Sequence, residues 1–184
     1  MLDHGIVIES KHCRLRPMTE ADEGNVIGLW NQDYVVGNLY MTKTTPAVYR
    51  EHFERYKANP NQWRFVIEDL DGNFVGTTGR TLVSPGVYNT GFFALYPTES
   101  FLAIEPLVAL NTFWFDRMEA QRIEFTVVST NEKIKKLHRF LGAEDTGVCS
   151  ERRGSNGKIV RLEHGVYRRE AWNLRRAFYE SICS

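Results

Sequence analysis

The chain has 184 residues, 42% apolar and 25% charged, with 23 Lys plus Arg against 23 Asp plus Glu and a formal net charge of zero. That length suits one domain with a real core, and the charge balance argues against a general nucleic-acid or membrane-surface binder. No apolar run reaches membrane-span length, the start MLDHGIVIESKHCRL lacks a signal-peptide pattern, and Cys13, Cys149 and Cys183 show neither metal-ligand spacing nor a disulfide framework. We therefore expect a cytoplasmic protein with free thiols and no metal.

Lys11 to Arg16 alternates weakly and stops at Pro17, as a short first strand would. Thr19 with Asp22 forms a passable capping box, opening a helix to about Trp30 that Gly24 and Gly28 weaken. Asn31 to Thr45 reads as a long irregular connection whose Tyr34, Tyr40, Met41 and Thr42 either line a substrate pocket or cover the core. Thr45-Pro46 starts a second helix to about Ala58, and Asn59-Pro60-Asn61 stops it. Trp63 to Glu68 and Phe74 to Leu82 form a hairpin about an Asp71-Gly72 turn, with Gly76 and Gly79 marking bends or close backbone approach.

Tyr88 to Leu95 reads as a strand, Tyr96 to Ser100 breaks it, and from Phe101 to Met118 the apolar residues recur at helical spacing. A strand feeding a helix through a tight loop aims backbone N–H groups at one point, which suits a phosphate or a small carbonyl oxygen. Arg122 to Val128 follows as a strand, which makes the connection a parallel crossover. A helix from Glu132 to Leu141, two strands at about Asp145 to Arg152 and Lys158 to Tyr167, and an amphipathic helix from Arg169 to Ile182 complete the chain. The expected class is mixed α/β, a mostly antiparallel sheet with one parallel pair. Glu68, at a strand end, is a candidate general base; Tyr88 and Asn89 could instead orient a water.

The order of elements, together with Arg14-Leu15-Arg16-Pro17 and Asp22, Phe115-Asp116, Arg122-Ile123-Glu124-Phe125, Asn131 and Leu141-Gly142, resembles the GCN5-related N-acetyltransferase (GNAT) superfamily over nearly the whole chain. The resemblance implies one domain that moves an acetyl group from acetyl-CoA to a primary amine by direct attack in a ternary complex. It implies a cleft where the parallel strands splay, with the edge from Phe92 through Phe93 to Leu95 pairing with the pantetheine arm and a backbone N–H near Ala94 and Leu95 donating to the thioester carbonyl. It also implies a pyrophosphate at the start of the central helix, near Phe101, Leu102 and Ala103, and a contact from Asn131 to the CoA arm. His138 stands where the family often carries a Tyr that protonates the departing thiolate, in a pattern like N-x-x-A-x-x-L-Y-x-x-x-G-F, and an imidazole there could donate that proton, since its ordinary pKa suits neutral pH. The usual glycine loop, Arg/Gln-x-x-Gly-x-Gly/Ala, is here Thr98-Glu99-Ser100-Phe101-Leu102-Ala103, so only Ala103 matches. Phe101 takes the place of a glycine, Glu99 adds a negative charge, and Pro106 removes a donor that is spare if it lies in the first turn.

Tyr40-Met41-Thr42, Phe92 to Pro97 and Arg169 to Trp172 are similar to GNATs that acetylate nucleotide-linked amino sugars, which makes a small-molecule amine the expected partner and Tyr40, Thr42 and Tyr88 the expected acceptor contacts. The alternatives are a protein N-terminal or ribosomal-protein acetyltransferase, and a GNAT-fold binding module without transferase activity. An acidic groove would favour basic peptides; a basic, aromatic pocket would favour a nucleotide sugar. Trp172, Phe178 and Tyr179 leave open a homodimer or packing on the sheet.

Overall fold

A computed structural model of the protein describes residues 5–98 and 100–183. The chain runs β1 (Ile8–Glu9), β2 (Cys13–Pro17), a 3₁₀ turn (Glu20–Asp22), α1 (Glu23–Trp30), α2 (Asp33–Leu39), α3 (Pro46–Lys57), β3 (Gln62–Asp69), β4 (Phe74–Ser84), β5 (Val87–Thr90) and β6 (Ala94–Leu95). It continues through α4 (Ser100–Arg117), β7 (Arg122–Val128), α5 (Glu132–Phe140), β8 (Glu144–Arg153), β9 (Ile159–Arg168), α6 (Arg169–Leu174) and α7 (Arg176–Cys183). Among the described residues the strands form one sheet in the order β1-β2-β3-β4-β5-β7-β9-β8, with β6 attached to β4. Every pairing is antiparallel except β5 with β7.

Alternation along the strands sorts the core onto two faces. Leu15, Trp63, Phe65, Ile67 and Ile123 pack with Leu107, Leu110, Trp114 and Phe115 of α4. On the opposite face Val66 packs with Val26 of α1 and Tyr49, Phe53 and Tyr56 of α3. The Arg14-Leu15-Arg16-Pro17 and Asp22 motif is explained by geometry. Leu15 enters the core while Arg16 turns the other way and clamps Asp22 with bonds of 2.9 and 2.7 Å. Burial opposes the Asp22 charge, but Arg16 and the Thr19 N–H hold its carboxyl below the ordinary range.

Three local expectations change. The connection after Trp30 contains α2, which its β-branched pair and Gly37 disguise; burial of Val35 and a 2.6 Å bond from the Tyr34 hydroxyl to the Leu95 carbonyl hold it in place. The closing helix is two helices meeting at Arg175. The strand expected from Tyr88 to Leu95 is two short strands with an irregular break at Gly91 to Phe93, and that break makes the site.

Candidate active site

β5 and β7 run side by side only for Val87↔Arg122, Tyr88↔Ile123 and Asn89↔Glu124. Beyond Thr90 the chain leaves the ladder and resumes as β6, which pairs with β4 as Gly76↔Leu95 and Thr77↔Ala94. β7 meanwhile stays with β9 as far as Val128, so the sheet opens between its parallel strands. Gly76 permits the β4–β6 approach, because a Cβ there would lie 2.3 Å from the Ala94 carbonyl oxygen. The opening holds a cavity of about 250 Å³ whose walls include Thr90, Phe93, Phe125, Asn131, His138 and Arg152.

A second cavity, of about 420 Å³, lies on the face carrying α1 and α3. Phe92 and Arg152 line both cavities, so the two share a wall. Its roof joins distant segments. Tyr40, in a left-handed conformation at φ 54° after α2, turns the chain under the β8–β9 hairpin. The Ser155 hydroxyl accepts from the Thr42 N–H at 2.7 Å, and Arg152 donates to the Leu39 carbonyl at 3.0 Å. Gly154 has no room for a side chain, since a Cβ would meet the Tyr40 carbonyl at 2.3 Å. The lining is aromatic (Trp30, Tyr40, Tyr49, Phe92) and basic (Lys43, His52, Arg64, Arg152, Arg153), and no Asp or Glu is among the described residues that line it.

Arg64 extends over the backbone of two glycines; a Cβ on Gly79 or Gly91 would come within 3.0 or 2.8 Å of its guanidinium. Burial pushes its pKa down. On the other face Arg80 is 0% exposed. It donates to the Thr90 hydroxyl and the Asn111 side-chain oxygen, and lies over Trp114 at 5.8 Å. Burial brings Arg80 down to about 9, so it stays charged at neutral pH. Two guanidiniums thus flank the strand break from opposite faces.

His138 stacks on Phe125 with ring centroids 3.7 Å apart, and its Nδ1 lies 2.7 Å from the Tyr167 hydroxyl. Burial, with Arg80 nearby, pushes the imidazole down to about 3. The expectation of a protonated imidazole as acid is therefore corrected: the ring lines the cavity but is neutral at pH 7. A neutral ring N–H donates hydrogen bonds but is far too weak an acid to protonate a thiolate.

The other expected residues divide. Phe93 and Asn131 line the first cavity, and the Asn131 side chain also caps α5 by accepting from the Ile134 N–H at 3.4 Å. Ala94 and Leu95 form β6, which pairs with β4 and lines neither cavity, and the Leu95 carbonyl already accepts from the Tyr34 hydroxyl. Tyr40 and Thr42 line the second cavity. Glu68 does not reach either cavity. It is buried and accepts from Arg14 at 2.6 and 3.2 Å and from Arg16 at 2.7 Å, an arrangement that ties β2 to β3 rather than one that takes a proton. Tyr88 is likewise absent from both walls; its ring packs against Trp63 and Trp114 in the core.

At the start of α4, Leu102 is in the core and Phe101 turns to His12, with ring centroids 4.4 Å apart. Ala103 is half-buried on the same turn, and the residue expected to add charge, Glu99, lies outside the described residues. Pro106 falls in the second turn rather than the first, so its missing N–H is one that an uninterrupted helix would use. Among the described residues no three His, Cys, Asp or Glu side chains are grouped to hold a metal.

Sequence reasoning missed Thr90, Arg80, Arg64 and Arg152. The available signal was register: Trp63 and Arg80 are cross-strand partners, so an inward Trp63 places Arg80 inward too.

Comparison with known proteins agrees with this geometry. The model of the acetyltransferase (GNAT) domain matches residues 12–144. The fold is similar to that of spermidine N-acetyltransferase from Vibrio cholerae, solved with CoA and spermine, at 16% identity and TM-score 0.76 over 88% of this chain and 98% of that one. It is similar to a GCN5-related N-acetyltransferase from Brucella melitensis at 15% identity and TM-score 0.82, covering 96% of this chain and 85% of that one. FdhC, a nucleotide-linked sugar GNAT solved without ligand, aligns at 17% identity and TM-score 0.78 over 98% and 99% of the two chains. No curated protein matches the sequence significantly. The splayed parallel pair, the helix that follows it and the matched domain lead to one conclusion: the chain belongs to the GNAT family of acetyltransferases.

Proposed function

We propose that the protein transfers an acetyl group from acetyl-CoA to the amine of a nucleotide-linked amino sugar. The donor would enter the opening between β5 and β7. Acetyl-CoA supplies an activated acyl group on a good leaving thiol. The residues present fit such a donor: the gap is lined by apolar side chains, the backbone of Gly91 to Phe93 leaves the ladder along its wall, and the first N–H groups of an α-helix such as α4 lack intrahelical partners. Phe101 does not oppose this, because its ring is directed at His12.

The acceptor would occupy the larger cavity, with its amine carried through the shared wall at Phe92 and Arg152. One observation carries the choice of acceptor: the wall combines aromatic rings with five basic side chains and no carboxylate among the described lining residues. Such a wall attracts phosphates and stacks bases, whereas a polyamine or basic peptide would meet like charge. The amine must lose its proton to react, and with no carboxylate on that wall, solvent water in the cavity is the acceptor we favour.

The test is a thiol-release assay with acetyl-CoA against nucleotide-linked amino sugars, spermidine and spermine, and peptides with free N-termini. We expect kcat/KM for at least one nucleotide sugar to exceed that for either polyamine by about a hundredfold or more. Preference for a polyamine or a basic peptide would reject the acceptor assignment.

A further inference from the structure

Thr90 and Arg80 form a polar unit that the family's usual machinery does not account for. Arg80 is fully buried, and its bonds are to two neutral oxygens, those of Thr90 and Asn111. Among the described residues no carboxylate is paired with it and its Nε has no hydrogen-bond partner. Arg80 is thus a buried positive charge that neutral oxygens alone satisfy, one side chain behind the opening. Thr90 lies between Arg80 and the cavity. It is the last residue of β5, at the point where the parallel strands part, and it lines the opening. Because Arg80 donates to the Thr90 oxygen, that hydroxyl is polarised and its own proton is directed to another acceptor.

The other titratable groups around this end of the cavity are His138 from α5, Tyr167 from β9 behind it, and Arg152 from β8. Arg64 lies on the far side of Gly91. None of them supplies negative charge at neutral pH. The field at the opening is therefore positive from both faces of the sheet, with one hydroxyl poised to deliver it.

We propose that the Thr90 hydroxyl, polarised by Arg80, hydrogen-bonds the sulfur of CoA and stabilises it as the departing thiolate. The amine nitrogen forms its bond to the acetyl carbon, the carbon–sulfur bond breaks, and its electron pair leaves on sulfur. The amine's proton goes to water, and the thiolate later takes a proton from water. Nothing is oxidised or reduced, and Thr90 donates a hydrogen bond without losing its proton. Thr90 is the catalytic residue in this assignment and Arg80 the positioning residue behind it. The unit stabilises the leaving thiolate by hydrogen bonding, in place of the proton transfer made by the family's tyrosine, where His138 stands in this chain.

Two measurements test it. Thr90→Val keeps the shape and removes the hydroxyl; we expect kcat to fall about thirtyfold, with both KM values within about twofold, and Thr90→Ser to recover most of the loss. Independently of turnover, thiolate absorbance of bound CoA is titrated. On the wild-type protein the thiol should ionise about one pH unit below free CoA, and on Thr90→Val it should return to the free value, while desulfo-CoA gives no signal. Unchanged kcat in Thr90→Val, or a bound thiol that titrates like free CoA on the wild-type protein, would overturn the proposal. The kinetic readout uses whichever amine the enzyme accepts and the titration needs none, so both stand or fall separately from the acceptor assignment.

Discussion

At the scale of the residue, burial decides what each polar group does. His138 has its ordinary value of 6.5 lowered to about 3 by desolvation and by Arg80. The unfolded chain takes up that proton near pH 6.5, while the folded protein refuses it until about pH 3. The stability this contributes is thus fully present above about 6.5 and is lost as pH falls through 3. We expect His138→Gln to flatten the stability profile, removing about 2 kcal/mol of the wild-type loss between about pH 7 and pH 5, as read by urea unfolding. Glu68 makes the opposite case. With two guanidiniums on its carboxylate, Glu68→Ala should lower stability by about 3 kcal/mol yet leave kcat within about twofold under conditions where the variant is folded. A collapse of kcat in the folded variant would return Glu68 to the mechanism. These two side chains also show the limit of reading sites from sequence. Asn131, Phe93, Tyr40 and Thr42 could be placed at the cavities from family spacing and loop position alone. Whether a histidine is charged, or a glutamate already bonded, depends on neighbours distant in the chain.

At the scale of the element, the site comes from a strand that fails to stay in its ladder. The aromatic run from Tyr88 to Leu95 favours extended backbone throughout, so propensity alone reads it as one strand. What splits it is Gly91 together with competition for partners: β4 captures Ala94 and Leu95 through the space at Gly76. We expect Gly76→Ala to push β6 off β4, with a stability loss of about 1–3 kcal/mol and a KM for acetyl-CoA raised about tenfold, measured by thermal unfolding and steady-state kinetics. α2 was invisible for a related reason. Its local propensity is poor, and it forms because Val35 is buried and Tyr34 reaches β6. Elements that propensity supports, such as α3 with its Thr45 cap and Pro46, were legible to within a residue or two; elements made by tertiary contact were not.

At the scale of the molecule, the sheet divides the work between its faces. The mixed architecture could be read from element order, because only a parallel crossover makes a strand–helix–strand unit of β5, α4 and β7 sensible. The position of the two cavities could not, because it depends on how far the sheet opens and on which loops fold over the far face. The matched family domain ends at residue 144, whereas Arg152, Arg153, Gly154 and Ser155, which roof the larger cavity with Tyr40 and Thr42, lie beyond it. The hairpin is nonetheless woven into the sheet, since β9 pairs with β7 from Arg122 to Val128 and Arg152 lines both cavities. Changes at its tip, Arg153 to Ser155, are therefore expected to reshape the larger cavity alone, whereas a change at Arg152 is felt in both.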